Sequence, residues 1–242
     1  MTRTGKDFAD LRHGIADACR VLAARGLADG YLGHISLRVA SERLLVRCRG
    51  PRERGLAWTT ADDVHLVTFD GTPGAAGELD GWRPPNELPL HTEVMRRHSD
   101  WTAVVHAHPP AVVAADLAGL GIRPIVGAFD MPGTALAAGG VPVYPRGVLV
   151  RNRRLAAEMV DAMGERPVVL LRGHGLTSAG PSVAEAVLRA VAVDRIARLS
   201  LAVVSAGGRL RDLPEEDLAE LPDLGGGFNV ETAWRHELAR LG

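Results

Sequence analysis

The sequence predicts a single α/β domain in which a mixed sheet is sandwiched by helices. Three observations point there. Short alternating strands cluster in the first 71 residues, helices and apolar strands alternate after residue 86, and neither an internal repeat nor a clear linker divides the 242 residues. A chain of this length supplies a substantial core.

Residues 6–27 read as an amphipathic helix, with Phe8, Leu11, Ile15, Cys19 and Leu22 at helical spacing and Gly26 and Gly30 as stop signals. HISLRV (34–39) and RLLVRC (43–48) alternate as the strands of a hairpin, and HLVTFDG (65–71) is a third strand ending in an Asp-Gly turn. A Gly/Ala/Pro-rich surface loop spans 71–85. Helix 86–98 starts with Asn86 in N-cap position before an acidic first turn. TAVVHAH (102–108) is a buried strand, followed by a proline-led helix, a short helix at 132–139 and the short strand VPVYP. Residues 151–164 form another helix, PVVLLRGHG (167–175) a buried strand, and 181–207 a long apolar-faced helix. The tail, 209–242, is acidic, then Gly-rich, then helical around Trp234, and reads as a mobile lid or an oligomer contact.

Composition narrows the chemistry. The 28 Lys plus Arg nearly balance 29 Asp plus Glu, which argues against a nucleic-acid binder. No apolar run reaches transmembrane length, and MTRTGKDFADLRHG lacks a signal-peptide core, so the expectation is a cytoplasmic protein with no membrane partner. Cys19 and Cys48 stand outside any C-x-x-C motif and read as free, buried thiols. Lys6 is the only lysine, leaving 27 arginines. Its polar N-terminal setting argues against Schiff-base chemistry and against a P-loop, both of which need a lysine in a specific pocket or turn. A carbanion or anion here must be met by metal, histidine, backbone amide or arginine.

The histidines supply a candidate. His106 and His108 are spaced i, i+2 on a strand and so share one face. Two polar residues at a strand end is the plain alternative. His174 stands between glycines after the strand VVLLR, where close backbone approach suggests a cavity. Three histidines with an open fourth position are the usual plan of a catalytic divalent metal site. Glu87, at a helix start, reads either as an acid favoured by the helix dipole or as a general acid/base beside that metal.

The stretch PPNELPLHTEVMRRHSDWTAVVHAHPPAV, with Gly173-His174-Gly175 and the upstream GHISLR (33–38), resembles the class II aldolase/adducin family over roughly residues 8–205. The resemblance implies a single three-layer α/β/α domain with a mixed, largely antiparallel central sheet. It implies His106, His108 and His174 as ligands of one divalent ion per subunit (Zn²⁺ or Mn²⁺, with Fe²⁺ or Co²⁺ also suited), and Glu87 as acid/base. It implies His91 as support for Glu87, and a homo-oligomer, usually a tetramer. Members let a divalent metal stabilise the charge left when a neighbouring C–C bond breaks. Adducin-like scaffolds lack the complete ligand set, so its retention points to an enzyme.

The anion pocket separates the branches. Sugar-phosphate aldolases of the family carry G-N-x-S and hydroxyl-rich turns. This chain has His34 in place of the Asn, the loop RCRGPRERGL (47–56) with four arginines, and W-R-P-P-N (82–86) before Glu87. Arginine forks suit planar carboxylates. Arg49 and Arg52, with Ser36, are the expected substrate contacts, and His34 is a substrate contact, a proton donor or a structural hydrogen-bonding residue. The resemblance is to the decarboxylase branch, which acts on aromatic hydroxy-dicarboxylates such as 3,4-dihydroxyphthalate. An aldolase for a hydroxy-keto acid or sugar phosphate, and a non-enzymatic scaffold, are the alternatives.

Overall fold

The computed structural model describes residues 5–28 and 30–242, with side chains from Phe8 onward. The Lys6 side chain and the start of the stretch read as lacking a signal-peptide core lie outside the described residues. Seven strands form one sheet in the order β3-β2-β1-β4-β7-β6-β5. They are β1 (His34–Ala40), β2 (Arg43–Arg47), β3 (Val64–Thr68), β4 (Ala103–Ala107), β5 (Val143–Tyr144), β6 (Val168–Leu171) and β7 (Gly175–Gly180). Every neighbouring pair is antiparallel except β5 with β6, so the sheet is mixed and largely antiparallel.

Strand alternation sends side chains to two faces, and each face has its own core. Ile35, Leu45 and Val105 pack with Ile15 and Leu22 of α1 (Gly5–Ala24), Val112 of α3 (Pro110–Leu117) and Ile196 of α6 (Val183–Ser205). Leu44, Val46 and Val104 pack with Leu90 and Val94 of α2 (Leu88–Arg97) and Met159 of α5 (Arg153–Met163). Helices therefore cover both faces, and α4 (Met131–Ala137) packs against α6. Asn152 and Ser182 cap α5 and α6 by accepting backbone N–H groups of Leu155 and Glu185. Among the described residues no helix is long and apolar enough to cross a membrane.

Three local readings are corrected by the structure. β7, with sequence GLTSAG, carries too little apolar weight to stand out, yet all six residues are buried between β4 and β6. The expected strand 167–175 is β6 plus a tight turn, closed by the His174 N–H on the Leu171 carbonyl at 2.9 Å. Asn86 is not the cap of α2. Glu87 holds that position without a side-chain capping bond, and the first turn carries no acid.

The C-terminal segment contains α7 (Glu215–Glu220), a π-helical turn (Gly227–Thr232) and α8 (Ala233–Ala239). Glu237 of α8 is buried, and both its oxygens meet the guanidinium of Arg25, with Nε donating to Oε2 at 2.6 Å. Arg25→Met would leave that carboxylate buried and unpaired. We expect a loss of about 2 kcal/mol, discounted for the partly exposed arginine, read as a lower urea midpoint at constant slope. The Arg25→Met/Glu237→Met double variant should recover most of it.

Candidate metal centre and active site

β4 lies at the centre of the sheet, and its period of two places His106 and His108 on the α2/α5 face. The β6–β7 turn adds His174, and the N-terminus of α2 adds Glu87. One ligand atom from each of these four residues lies within 4.8 Å of the others. His106 Nε2 is 2.8 Å from His108 Nε2 and 3.3 Å from Glu87 Oε2. His174 Nε2 is 3.7 Å from the same carboxylate oxygen.

Hydrogen bonds fix what these atoms offer. His106 Nδ1 donates to the Leu176 carbonyl at 3.0 Å, so in the neutral ring Nε2 carries the lone pair. Burial keeps His108 and His174 neutral, pulling the first down to about 3 and lowering the second. Burial alone would raise the Glu87 carboxyl, but contact with His106 and the Val150 N–H, at 2.9 Å from Oε1, outweigh it and hold it at about 2. Lone pairs and a carboxylate thus converge on one point away from water. A shared divalent cation resolves that convergence, and the donor set fits one.

His34 lies directly across from His106 in the β1–β4 register, with ring centroids 5.0 Å apart. Its Nδ1 is 2.7 Å from His91 Nε2, and His91 Nδ1 is 2.7 Å from the Ser36 hydroxyl. The three side chains form a buried polar column between α2, which carries His91, and β1. Burial pulls His91 to about 3 and His34 well below the ordinary histidine value.

A cavity of about 410 Å³ opens over this centre, lined by His34, Arg49, Glu87, His108, Arg172 and His174 among others. Among the described residues no Ser, Thr or Tyr side chain lines it.

A family model, the Class II Aldolase and Adducin N-terminal domain, matches residues 13–201. The chain belongs to the class II aldolase and adducin family. It is 73% identical over 235 residues to the 3,4-dihydroxyphthalate decarboxylase of Terrabacter sp. (strain DBF63), covering 97% of this chain and 98% of that one. It is also 73% identical over 234 residues to the enzyme of the same name from Arthrobacter keyseri, covering 96% and 94%. Among solved structures, an aldolase II superfamily protein from Pseudomonas syringae shares the fold, with a TM-score of 0.81 at 23% identity over 99% of this chain and 94% of that one. The chain is an enzyme of the lyase type.

Against this family frame the expected site residues divide. His106, His108, His174 and Glu87 come together, and His34 and Arg49 line the cavity. Ser36 does not reach it, because its hydroxyl is wholly buried against His91. Arg52 is exposed on the loop after β2 and is not among the lining residues. Arg47 pairs with Glu53 below the surface, while Arg49 is anchored through its backbone by two 2.9 Å hydrogen bonds with Arg83. Trp82 backs that bridge: a Cβ on Gly50 would meet its ring. The arginine that sequence reasoning missed is Arg172, part of the R-G-H-G motif already singled out for His174. Gly175 must be glycine, since at φ 154° a Cβ would collide with the Ala107 carbonyl and crowd His108. Both cysteines are free and buried, and burial pushes each thiol up to about 12, so neither is a nucleophile here.

The buried histidines set a pH dependence. In metal-free protein, His91 and His108 stay neutral down to about 3, while their unfolded counterparts take up protons at about 6.5. The unfolded state then binds more protons, so this stability is complete above pH 6.5 and falls as pH drops toward 3. Urea midpoints of metal-stripped protein should decline below about pH 6.5, and His91→Gln should flatten part of the slope.

Proposed function

We propose that this chain is a divalent-metal-dependent decarboxylase of an aromatic hydroxy-dicarboxylate of the 3,4-dihydroxyphthalate kind. One observation carries the reading: the cavity over the His/Glu centre presents arginine and lacks hydroxyl side chains among the described residues. Guanidinium forks pair with carboxylates, and the hydroxyl side chains that complete a phosphate cradle are missing from this wall. The 73% identity to enzymes named for this reaction supports the same substrate class.

His106, His108 and His174 would hold the ion, Zn²⁺ or Mn²⁺ with Fe²⁺ or Co²⁺ also suited to the donors. When bound, it supplies Lewis-acid stabilisation of the charge that develops as CO₂ leaves. The protein's own residues do the rest. Arg49 pairs with a substrate carboxylate at the cavity wall. Glu87 is ionised and nearly buried, so it is set to take a hydroxyl proton from the substrate. It then returns that proton to the ring carbon that CO₂ vacates. His34 has Nδ1 tied to His91, which leaves its opposite ring edge as a contact for substrate oxygen. The closed floor formed by the His34, His91 and Ser36 column keeps water from the far side of the reacting carbon.

We place the enzyme in the cytoplasm, and as a homotetramer of single-domain chains whose C-terminal tail contributes to contacts between subunits. Tyr31, Trp58 and Leu149 are exposed aromatic and aliphatic side chains close to the cavity or its loops, as an assembly surface requires. Sedimentation equilibrium should return four chains; a monomer at micromolar concentration would overturn the assembly.

Metal-loaded protein given 3,4-dihydroxyphthalate should release CO₂ and a dihydroxy monoacid. Glu87→Gln should keep its metal and lose turnover by about a thousandfold. His106→Ala should lose the metal itself, measured by elemental analysis after desalting. Aldehyde release from a hydroxy-keto acid, with no CO₂ from the dihydroxyphthalate, would put the aldolase reading in its place. Protein purified without metal, with His106→Ala behaving like the parent, would favour a scaffold.

A further inference from the structure

A dicarboxylate presents two anionic groups, and the two arginines expected as substrate contacts, Arg49 and Arg52, lie on one loop. The structure separates the cavity's arginines instead. Arg49 leaves β2, on one side of β4, and Arg172 sits on the β6–β7 turn, on the other side. His106 of β4 and His108, just past its end, lie between them.

Arg172 is held in a specific way. Asp116 of α3 is nearly buried, with its side chain 5% exposed. Its Oδ2 accepts the Gly173 N–H at 2.7 Å, and its Oδ1 stands 3.1 Å from Arg172 Nε. The backbone N–H of Arg172 is bound by the Tyr144 carbonyl at 3.1 Å. One carboxylate therefore fixes both the turn and the Nε edge of the guanidinium. The Nη edge carries four further N–H donors, and no acceptor for them is found among the described residues. A surface arginine with no task would be free to swing; this one is tethered beside His174 at the mouth of the cavity, with its side chain 52% exposed. Glu87, which must meet the reacting carbon, is at the buried end of the same cavity. Arg172 thus stands at the exposed mouth, away from the buried Glu87.

We infer that Arg172, positioned by Asp116, binds the carboxylate that the substrate keeps, and that it selects dicarboxylates over monocarboxylates. This rests on the decarboxylase reading and adds a residue and a selectivity to it. Binding to a group that is unchanged in the reaction affects ground state and transition state alike, so its loss is felt in KM more than in kcat. A charge-assisted hydrogen bond of this kind sets the scale at about tenfold or more.

The test uses metal-loaded, full-length parent, Arg172→Ala and Asp116→Asn. Steady-state CO₂ release from 3,4-dihydroxyphthalate is measured, together with binding of phthalate and benzoate by calorimetry. Arg172→Ala should raise KM about tenfold, with a smaller change in kcat, and weaken phthalate by a similar factor while benzoate binding holds. Asp116→Asn keeps an acceptor for Gly173 but removes the charge beside Arg172, so it should shift the same quantities in the same direction by less. Equal loss of phthalate and benzoate binding, or loss of bound metal in Arg172→Ala, would overturn the inference in favour of a structural role near His174. Unaltered KM and phthalate binding would also overturn it. If the parent itself releases no CO₂, the decarboxylase reading fails, and the phthalate-to-benzoate contrast still reports on Arg172 alone.

Discussion

The hydrogen bond from His106 Nδ1 to the Leu176 carbonyl is the interaction on which the centre depends. It crosses from β4 to β7 and spends one ring nitrogen on the sheet, so that the other is turned toward His108 and Glu87. The pairing of β4 with β7 sets that geometry, and Gly175 permits it by letting the two backbones approach where any Cβ would collide. Once His106 is fixed, His108 follows two residues on and His174 arrives from the adjacent turn. Burial keeps His108 and His174 neutral, which is the state a metal ion requires of imidazole.

Burying so many polar groups on one face of a sheet is unfavourable unless each finds a partner. The structure meets this by stacking them. Ser36 serves His91, His91 serves His34, and Glu87 takes the Val150 N–H on one oxygen while the other faces the histidines. α2 and α5 supply the apolar side chains around this stack on that face, and α1, α3 and α6 supply the apolar core of the opposite face. The polar column is therefore a local exception inside an ordinary two-sided core. It also explains why α2 begins at Glu87 with no capping side chain: the carboxylate that could have capped the helix is turned to the site.

Arginine dominates the basic residues, but its positions divide by role. Arg25, Arg47 and Arg123 are matched to Glu237, Glu53 and Asp212 in ion pairs that hold segments together. Arg49 and Arg172 differ in reaching the cavity, each with its backbone fixed by a neighbouring strand or turn. The global excess says little about function. The local pair stands on two sides of β4, at the wall of the cavity.

Sequence alone determined what depends on short-range period and spacing. The i, i+2 pair His106 and His108, the glycine-flanked His174 and the acid at the start of α2 are local patterns, and the helices and most strands follow their apolar periodicity. Tertiary structure decided what depends on which strands lie side by side. β7 is a strand because β4 and β6 flank it, not because GLTSAG favours one. Ser36 was expected at the substrate but belongs to His91, since an alternating strand shows the face a residue shares and not the neighbour that claims its hydroxyl. Arg172 lines the cavity and Arg52 does not for the same reason: a loop's arginine content is visible in sequence, whereas the wall of a cavity is assembled from turns more than a hundred residues apart.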